Sequence, residues 1–204
     1  MKTLILVDVQ NDFMPGGPLE VPLGNTIVPV INKIQGYFDL VVATQDWHPK
    51  NHRSFASNHH NKKPFDRIIL NGVQQTLWPD HCIQGSRGAE LQKDIEMNRI
   101  AAIFRKGMDP EVDSYSGFYD NNHYSATGLA GYLKEKGATE IHFCGLAADI
   151  CVYYSILDSI REGFSATLIE DASSSLFPDK FDDIKCELAK SGAHIIISNE
   201  LRAS

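Results

Sequence analysis

The chain has 204 residues, an ordinary share of apolar and charged side chains, and a formal net charge of -7. That length suffices for one good-sized core or two small ones, and the acidic balance argues against nucleic acid and anionic membranes as partners. No apolar run approaches a membrane span, and the run from Leu4 to Val7 is too short for a secretory leader before Asp8 interrupts it, so the cytoplasm is the default compartment.

In chain order, "LILV" from Leu4 predicts a first strand, and "NTIVPVINKIQGYF" a helix with Asn25 as N-cap and Pro29 in its first turn. "LVVAT" from Leu40 predicts a second strand. Between Gln45 and Arg99 the chain turns rich in Pro, His, Asn and Gly with little strand-like sequence, the character of a long functional loop. "IAAIF" from Ile100 is a third strand. "SATGLAGYLKEKG" from Ser125 is a helix stopped by Gly137, and "EIHFCG" from Glu140 a fourth strand. A helix from Asp149 to Gly163, the strand "SATLIE", the helix "KFDDIKCELAKSG" and the strand "HIIIS" complete the series. Strands separated by helices imply βαβ units. The expectation is one three-layer α/β/α domain over residues 1–204, with a mostly parallel sheet of about six strands. Ligands of such sheets bind at the carboxyl ends of the strands.

Three residues of chemical interest follow strand ends. Asp8 closes the first apolar run, Lys106 follows the third in "FRKG", and Cys151 follows the fourth in "CGLAADIC". Taken singly, they read as a solvated acid, a surface lysine and a core cysteine. Taken together, one pocket gathers them. A thiol with an ordinary pKa of about 8.5 needs help to become a nucleophile. The first turn of a helix favours negative charge on Cys151, Asp8 is placed to take its proton, and Lys106 to hold both anions. The short segment "GLAAD" suits an oxyanion hole. Cys144 lies within a strand and reads as inert. The four cysteines form no C-x-x-C pair, which favours thiols over disulfides.

A second group lies in "ATQDWHPKNH". Alternate residues of an extended segment face one side, so Asp46 and His48 offer an oxygen and a nitrogen to one ion. His81, in "LWPDHC", is a candidate third ligand. Three protein ligands with open positions describe a catalytic metal site.

These motifs, "LVDVQNDFMPGG", "QDWHP", "WPDHC", "FRKG" and "GLAADICV", occur in the order found in a known family. Over nearly its whole length the chain resembles bacterial nicotinamidases of the isochorismatase-like cysteine hydrolase superfamily. The resemblance implies Asp8, Lys106 and Cys151 as catalytic residues. It implies Asp46, His48 and His81 as metal ligands, with Phe13, Trp78 and Tyr115 around a pyridine ring. It also implies a cis peptide at Leu146–Ala147, with the N–H groups of Ala147 and Cys151 facing an oxyanion. The implied substrate is nicotinamide, with pyrazinamide as a second amide, and the implied cofactor is one divalent ion. Zinc is favoured, with iron or manganese as alternatives, and a homo-oligomer is left open. His52 departs from the spacing of the extra histidine that some relatives supply, and it stays outside the ligand set. Other superfamily members hydrolyse enol ethers or carbamoyl amides without this metal set. A nucleotide-binding α/β protein lacks support, because no G-x-G-x-x-G follows the first strand.

Overall fold

The structure is a computed structural model, and residues 1–201 are described. Six parallel strands form the main sheet: β1 (Lys2–Val7), β2 (Leu40–Asp46), β5 (Ile100–Lys106), β6 (Glu140–Gly145), β7 (Ser165–Ser173) and β8 (His194–Ile196). Their order is β5-β2-β1-β6-β7-β8, and every pairing in this sheet is parallel. The helices are α1 (Ile27–Ile34), α2 (Leu129–Glu135), α3 (Tyr153–Arg161) and α4 (Phe181–Lys190).

The three layers follow from strand alternation. Leu4 and Leu6 face one side of the sheet and pack with α1 through Ile27, Val28, Ile31 and Ile34. Ile5 and Val7 face the other and pack with Leu129 and Leu133 of α2, Ile156 of α3 and Leu188 of α4. Strand β5 lies at the sheet edge, so Ala101, Ile103 and Arg105 stay exposed, unlike the fully buried β2.

From β1 the chain winds outward through β2 to β5, then returns to place β6 on the opposite flank of β1. The carboxyl ends of β1 and β6 therefore border the switch in winding direction, where α/β sheets open a crevice. Gly145 makes this approach sterically feasible. A Cβ there would lie 2.1 Å from the Val7 carbonyl oxygen, the oxygen that accepts the Leu146 N–H at 2.9 Å.

Local structure departs from the sequence expectation in three places. The long segment after β2 contains a hairpin of β3 (Arg67–Leu70) and β4 (Val73–Thr76). Its turn residues Asn71 (φ 48) and Gly72 (φ 87) both take the left-handed conformation of a tight two-residue turn. Asn25 is not an N-cap: it lies in a 3-10 turn over Gly24–Thr26, and α1 begins at Ile27 without a capping side chain. Helix α2 begins four residues after Ser125, behind Gly128 at φ 92. No described helix is long and apolar enough to cross a membrane.

At the opposite end of the sheet from the crevice, His142 on β6 packs against the Phe38 ring at 5.1 Å, and its Nδ1 has no partner among the described residues. Burial, reinforced by Lys2 and His194, pushes it down to about 4 from 6.5. A depressed histidine resists protonation in the folded state. Its cost is absent above about pH 6.5 and grows as pH falls toward 4. Urea unfolding of a His142→Leu variant should therefore lose less stability between pH 7 and pH 5 than the parent. An unchanged pH dependence would exclude His142 as a source of acid sensitivity.

Candidate active site

Asp8 is the first residue beyond β1 and adopts a left-handed conformation at φ 47, sparsely populated by residues other than glycine. Thr44 holds it twice. The Asp8 N–H donates to Thr44 Oγ1 at 3.2 Å, and that hydroxyl donates to Asp8 Oδ1 at 2.6 Å. Lys106 ends β5 directly opposite Asp46, the last residue of β2. Its ammonium, 2% exposed as a residue, lies 2.8 Å from Asp8 Oδ2 and 2.6 Å from Asp46 Oδ1. It also donates to the Ser114 carbonyl at 2.8 Å and toward Cys151 Sγ at 3.5 Å.

Burial works against this ammonium, yet the Asp46 and Asp8 carboxylates together outweigh it and hold Lys106 well above the usual lysine range. Burial also raises Asp8, partly countered by Lys106. The Cys151 thiol is driven well up by burial, against the pull of Lys106. Here the structure differs from the expectation of a helix-activated thiolate. Cys151 lies in a wide turn ahead of α3, where the Val152 N–H reaches back five residues to the Ala147 carbonyl at 3.1 Å. The thiol rests neutral, with its sulfur and the Asp8 and Asp46 carboxylates within 4.8 Å of one another.

The Leu146–Ala147 peptide is cis. The Ala148 N–H goes to the Ser174 carbonyl at 2.7 Å, and no acceptor takes the Ala147 N–H among the described residues. Asp149 secures the facing loop by accepting the N–H groups of Leu176 and Phe177, each at 2.9 Å.

Asp46, His48 and His81 converge. Asp46 Oδ2 lies 3.5 Å from His48 Nε2 and 3.8 Å from His81 Nε2. Each ring uses Nδ1 on a backbone carbonyl: His48 on Gly107 and His81 on Pro79, both at 2.8 Å. A carbonyl only accepts, so Nδ1 carries the proton and Nε2 of the neutral ring keeps its lone pair. A carboxylate oxygen and two imidazole lone pairs then face one another, an arrangement that calls for a cation. The three residues fit a divalent ion in donor type, burial and tautomer. Gly107 is required for this packing, since a Cβ there would lie 2.3 Å from His48 Cε1.

His52 is fully buried and its ring centre is 4.5 Å from that of His48. Its hydrogen bonding is reversed. The Ser54 N–H donates to His52 Nδ1 at 3.1 Å, which places the proton of the neutral ring on Nε2. Burial pushes His52 down to about 4, so it is neutral and its Nε2 has no lone pair for a metal.

A mainly apolar cavity opens between these groups. Phe13, Trp78, Tyr115, Ala147 and Cys151 line it, with Asp46 and His81 on its polar side. Asp8, Lys106 and His48 stand behind this lining. Sequence reasoning missed Thr44 and Asp113, together with the apolar wall of Leu19, Val21, Ile150 and Leu176. Asp113 stands two residues before Tyr115 and carries no signal of its own. Thr44 alternates with Asp46 on β2, a pattern that could have found it.

Residues 2–200 match the isochorismatase domain family, and the chain belongs to that family. It is 46% identical over 173 residues to the nicotinamidase of Acinetobacter baylyi, covering 85% of this chain and 81% of that protein. Among solved structures it is similar to the nicotinamidase/pyrazinamidase of Acinetobacter baumanii, with a TM-score of 0.95, 43% identity and 98% of each chain covered. It is also similar to the pyrazinamidase of Pyrococcus horikoshii in complex with zinc, with a TM-score of 0.79, 34% identity, and 96% and 98% of the two chains covered.

Among the described residues, Lys106 is the cation that bridges the Asp8 and Asp46 carboxylates. Removing its charge leaves both buried and uncompensated. Lys106→Met should lower unfolding stability by about 3–5 kcal/mol, in urea titrations of metal-stripped protein. A loss below about 1 kcal/mol would show the ammonium to be of surface kind.

Proposed function

We propose that this chain is a nicotinamidase, hydrolysing nicotinamide to nicotinate and ammonia through a thioester on Cys151. The observation that carries this reading is the placement of the Cys151 thiol. It is within reach of an acid and an ammonium, on the wall of an apolar cavity also lined by Asp46 and His81, two members of a convergent Asp46–His48–His81 group. Such a cavity suits a flat heteroaromatic amide, and the similarity to nicotinamidases supports the same substrate.

Asp8 takes the thiol proton while Lys106 keeps the acid, the thiol and Asp46 in one electrostatic frame. The sulfur bonds to the carboxamide carbon, and the carbonyl electron pair moves onto oxygen. In our reading the N–H groups of Ala147 and Cys151 accommodate that oxyanion. As the C–N bond breaks, Asp8 returns its proton to the nitrogen and ammonia leaves. Water then adds to the thioester carbon, with Asp8 again taking a proton. The C–S bond breaks, the proton on Asp8 returns to sulfur, and the product leaves as the acid, giving its remaining proton to solvent to become the carboxylate. Phe13, Trp78 and Tyr115 enclose the ring. Asp46, His48 and His81 would hold a divalent ion, zinc in our reading with iron or manganese as alternatives, which would supply Lewis acidity for anchoring the substrate.

Cys151→Ala should abolish ammonia release from nicotinamide while leaving the circular dichroism spectrum unchanged. Asp8→Asn should slow turnover by roughly 10²–10⁴. The thiol itself is best followed in a Cys186→Ser background, because Cys186 is the exposed cysteine and competes for reagents. Mass spectrometry of that variant, quenched during turnover, should find the acyl group on Cys151. Normal ammonia release by Cys151→Ala would end the covalent mechanism.

A further inference from the structure

One side chain outside both groups holds them in relation to each other, and nothing in the catalytic chemistry uses it. Asp12 lies in the 3-10 turn Asn11–Phe13. Its Oδ2 accepts the Cys82 N–H at 2.7 Å. Cys82 immediately follows His81, adopts a left-handed φ of 46, and offers its own carbonyl to the His48 N–H at 3.0 Å. The peptide units of Cys82 thus connect the two histidines. One end is fixed to His81 through the chain, the other to His48 through a hydrogen bond. The carboxylate of Asp12 secures the middle.

A carboxylate accepting a backbone N–H is a strong, charge-assisted contact, well suited to fixing a residue in a backbone region that L side chains rarely adopt. The surroundings are cut to admit it. Gly88 lies against the Asp12 carboxylate so closely that a Cβ there would fall 2.1 Å from both oxygens. The Asp12 N–H donates to the Gly88 carbonyl at 3.0 Å, which fastens the same turn to the segment that follows Cys82. Phe13, next in sequence, carries its ring to 5.6 Å from the His81 ring. One short turn therefore supplies a cavity wall and a brace for a histidine beside it.

We infer that Asp12 is a positioning residue for the Asp46–His48–His81 centre: through the Cys82 peptide it fixes the spacing of the two imidazoles and so sets affinity for a divalent ion. This rests on the reading of those three residues as metal ligands. Partners that orient ligands from outside typically contribute 10–100-fold in metal affinity, and Asp12 acts through the backbone rather than through a ring nitrogen.

The test uses Zn²⁺ alone, titrated into chelator-stripped full-length protein against a chromogenic chelator, with the melting temperature of each metal-free form measured beside it. The parent should bind one ion per chain, and His81→Ala should lose it. Asp12→Ala should weaken binding by about 10–100-fold. Asp12→Asn keeps an acceptor oxygen and should recover much of that loss. Gly88→Ala reaches the same contact from the other side and should weaken zinc in the same sense, so the test survives if Asp12→Ala fails to fold. A purely structural brace would lower the metal-free melting temperature in Asp12→Ala without changing zinc affinity. That result, with His81→Ala still losing the ion, overturns the role of Asp12 alone. Zinc bound by His81→Ala as tightly as by the parent, or not bound by the parent, overturns the metal reading and this inference with it.

Discussion

The site depends on one buried ammonium. Lys106 has Asp8, Asp46, the Ser114 carbonyl and the Cys151 sulfur within 3.5 Å, and almost none of it reaches solvent. Desolvating a lysine is costly, and only the two carboxylates make its charge the stable form. The converse also holds, since two carboxylates share this small volume only because a cation lies between them. The thiol is the one group in the cluster left uncharged at rest, so the acid beside it has work to do. A thiolate added to two buried carboxylates would need more positive charge than one lysine provides. In the mechanism we propose, Asp8 exchanges its charge with sulfur, and the total facing Lys106 stays constant during proton transfer.

That arrangement joins two chemistries that the sequence presents as separate motifs. Asp46 gives one oxygen to Lys106 and turns the other toward His48 and His81. Burial opposes its ionisation, but Lys106 holds it well below the usual carboxylate range. The Cys151 thiol and the convergent Asp46–His48–His81 group are thus linked through one carboxylate and Lys106. A change at His81 or His48 alters the field at Lys106, one contact away from the thiol.

Much of the fold was legible because buried parallel strands are written as continuous apolar runs, and "LILV", "LVVAT" and "EIHFCG" each became one. What the sequence concealed has physical causes. The hairpin in the long segment reads "RIILNGVQQT", and its Asn-Gly pair carries a strong turn signal. Its strands are only four residues long: "RIIL" is apolar but mostly unburied, and "VQQT" lacks the continuous apolar run used to find the others. The thiol environment was misjudged because a helix start suggests a stabilised anion, whereas burial dominates at Cys151. Asp113 and the apolar wall formed by Leu19, Val21 and Leu176 come from three separate loops, and no spacing rule connects them. The state of His52 depends on which group meets its Nδ1, a detail that emerges only once Ser54 is placed beside it.

The stretch "TQDWH" shows how much chemistry plain strand alternation can organise. Thr44, Asp46 and His48 point to one side and meet Asp8, Lys106 and the metal-binding group in turn. The intervening residues point away. Gln45 accepts a hydrogen bond from Arg105 at 3.2 Å, and the Arg105 guanidinium lies 3.8 Å from the centre of the Trp47 ring. The neighbouring strand repeats the pattern, with Arg105 outward and Lys106 inward. Two adjacent strand ends in parallel register therefore sort two cations onto opposite faces. One is left to stack at the rim, and the other is driven into the pocket. A slip of one residue between β2 and β5 would send Arg105 inward and leave Asp8 and Asp46 without their partner. Selection of the register and assembly of the site are the same physical event: carboxylates buried at the end of β2 and just beyond β1 are tolerable only in the alignment that delivers Lys106 between them.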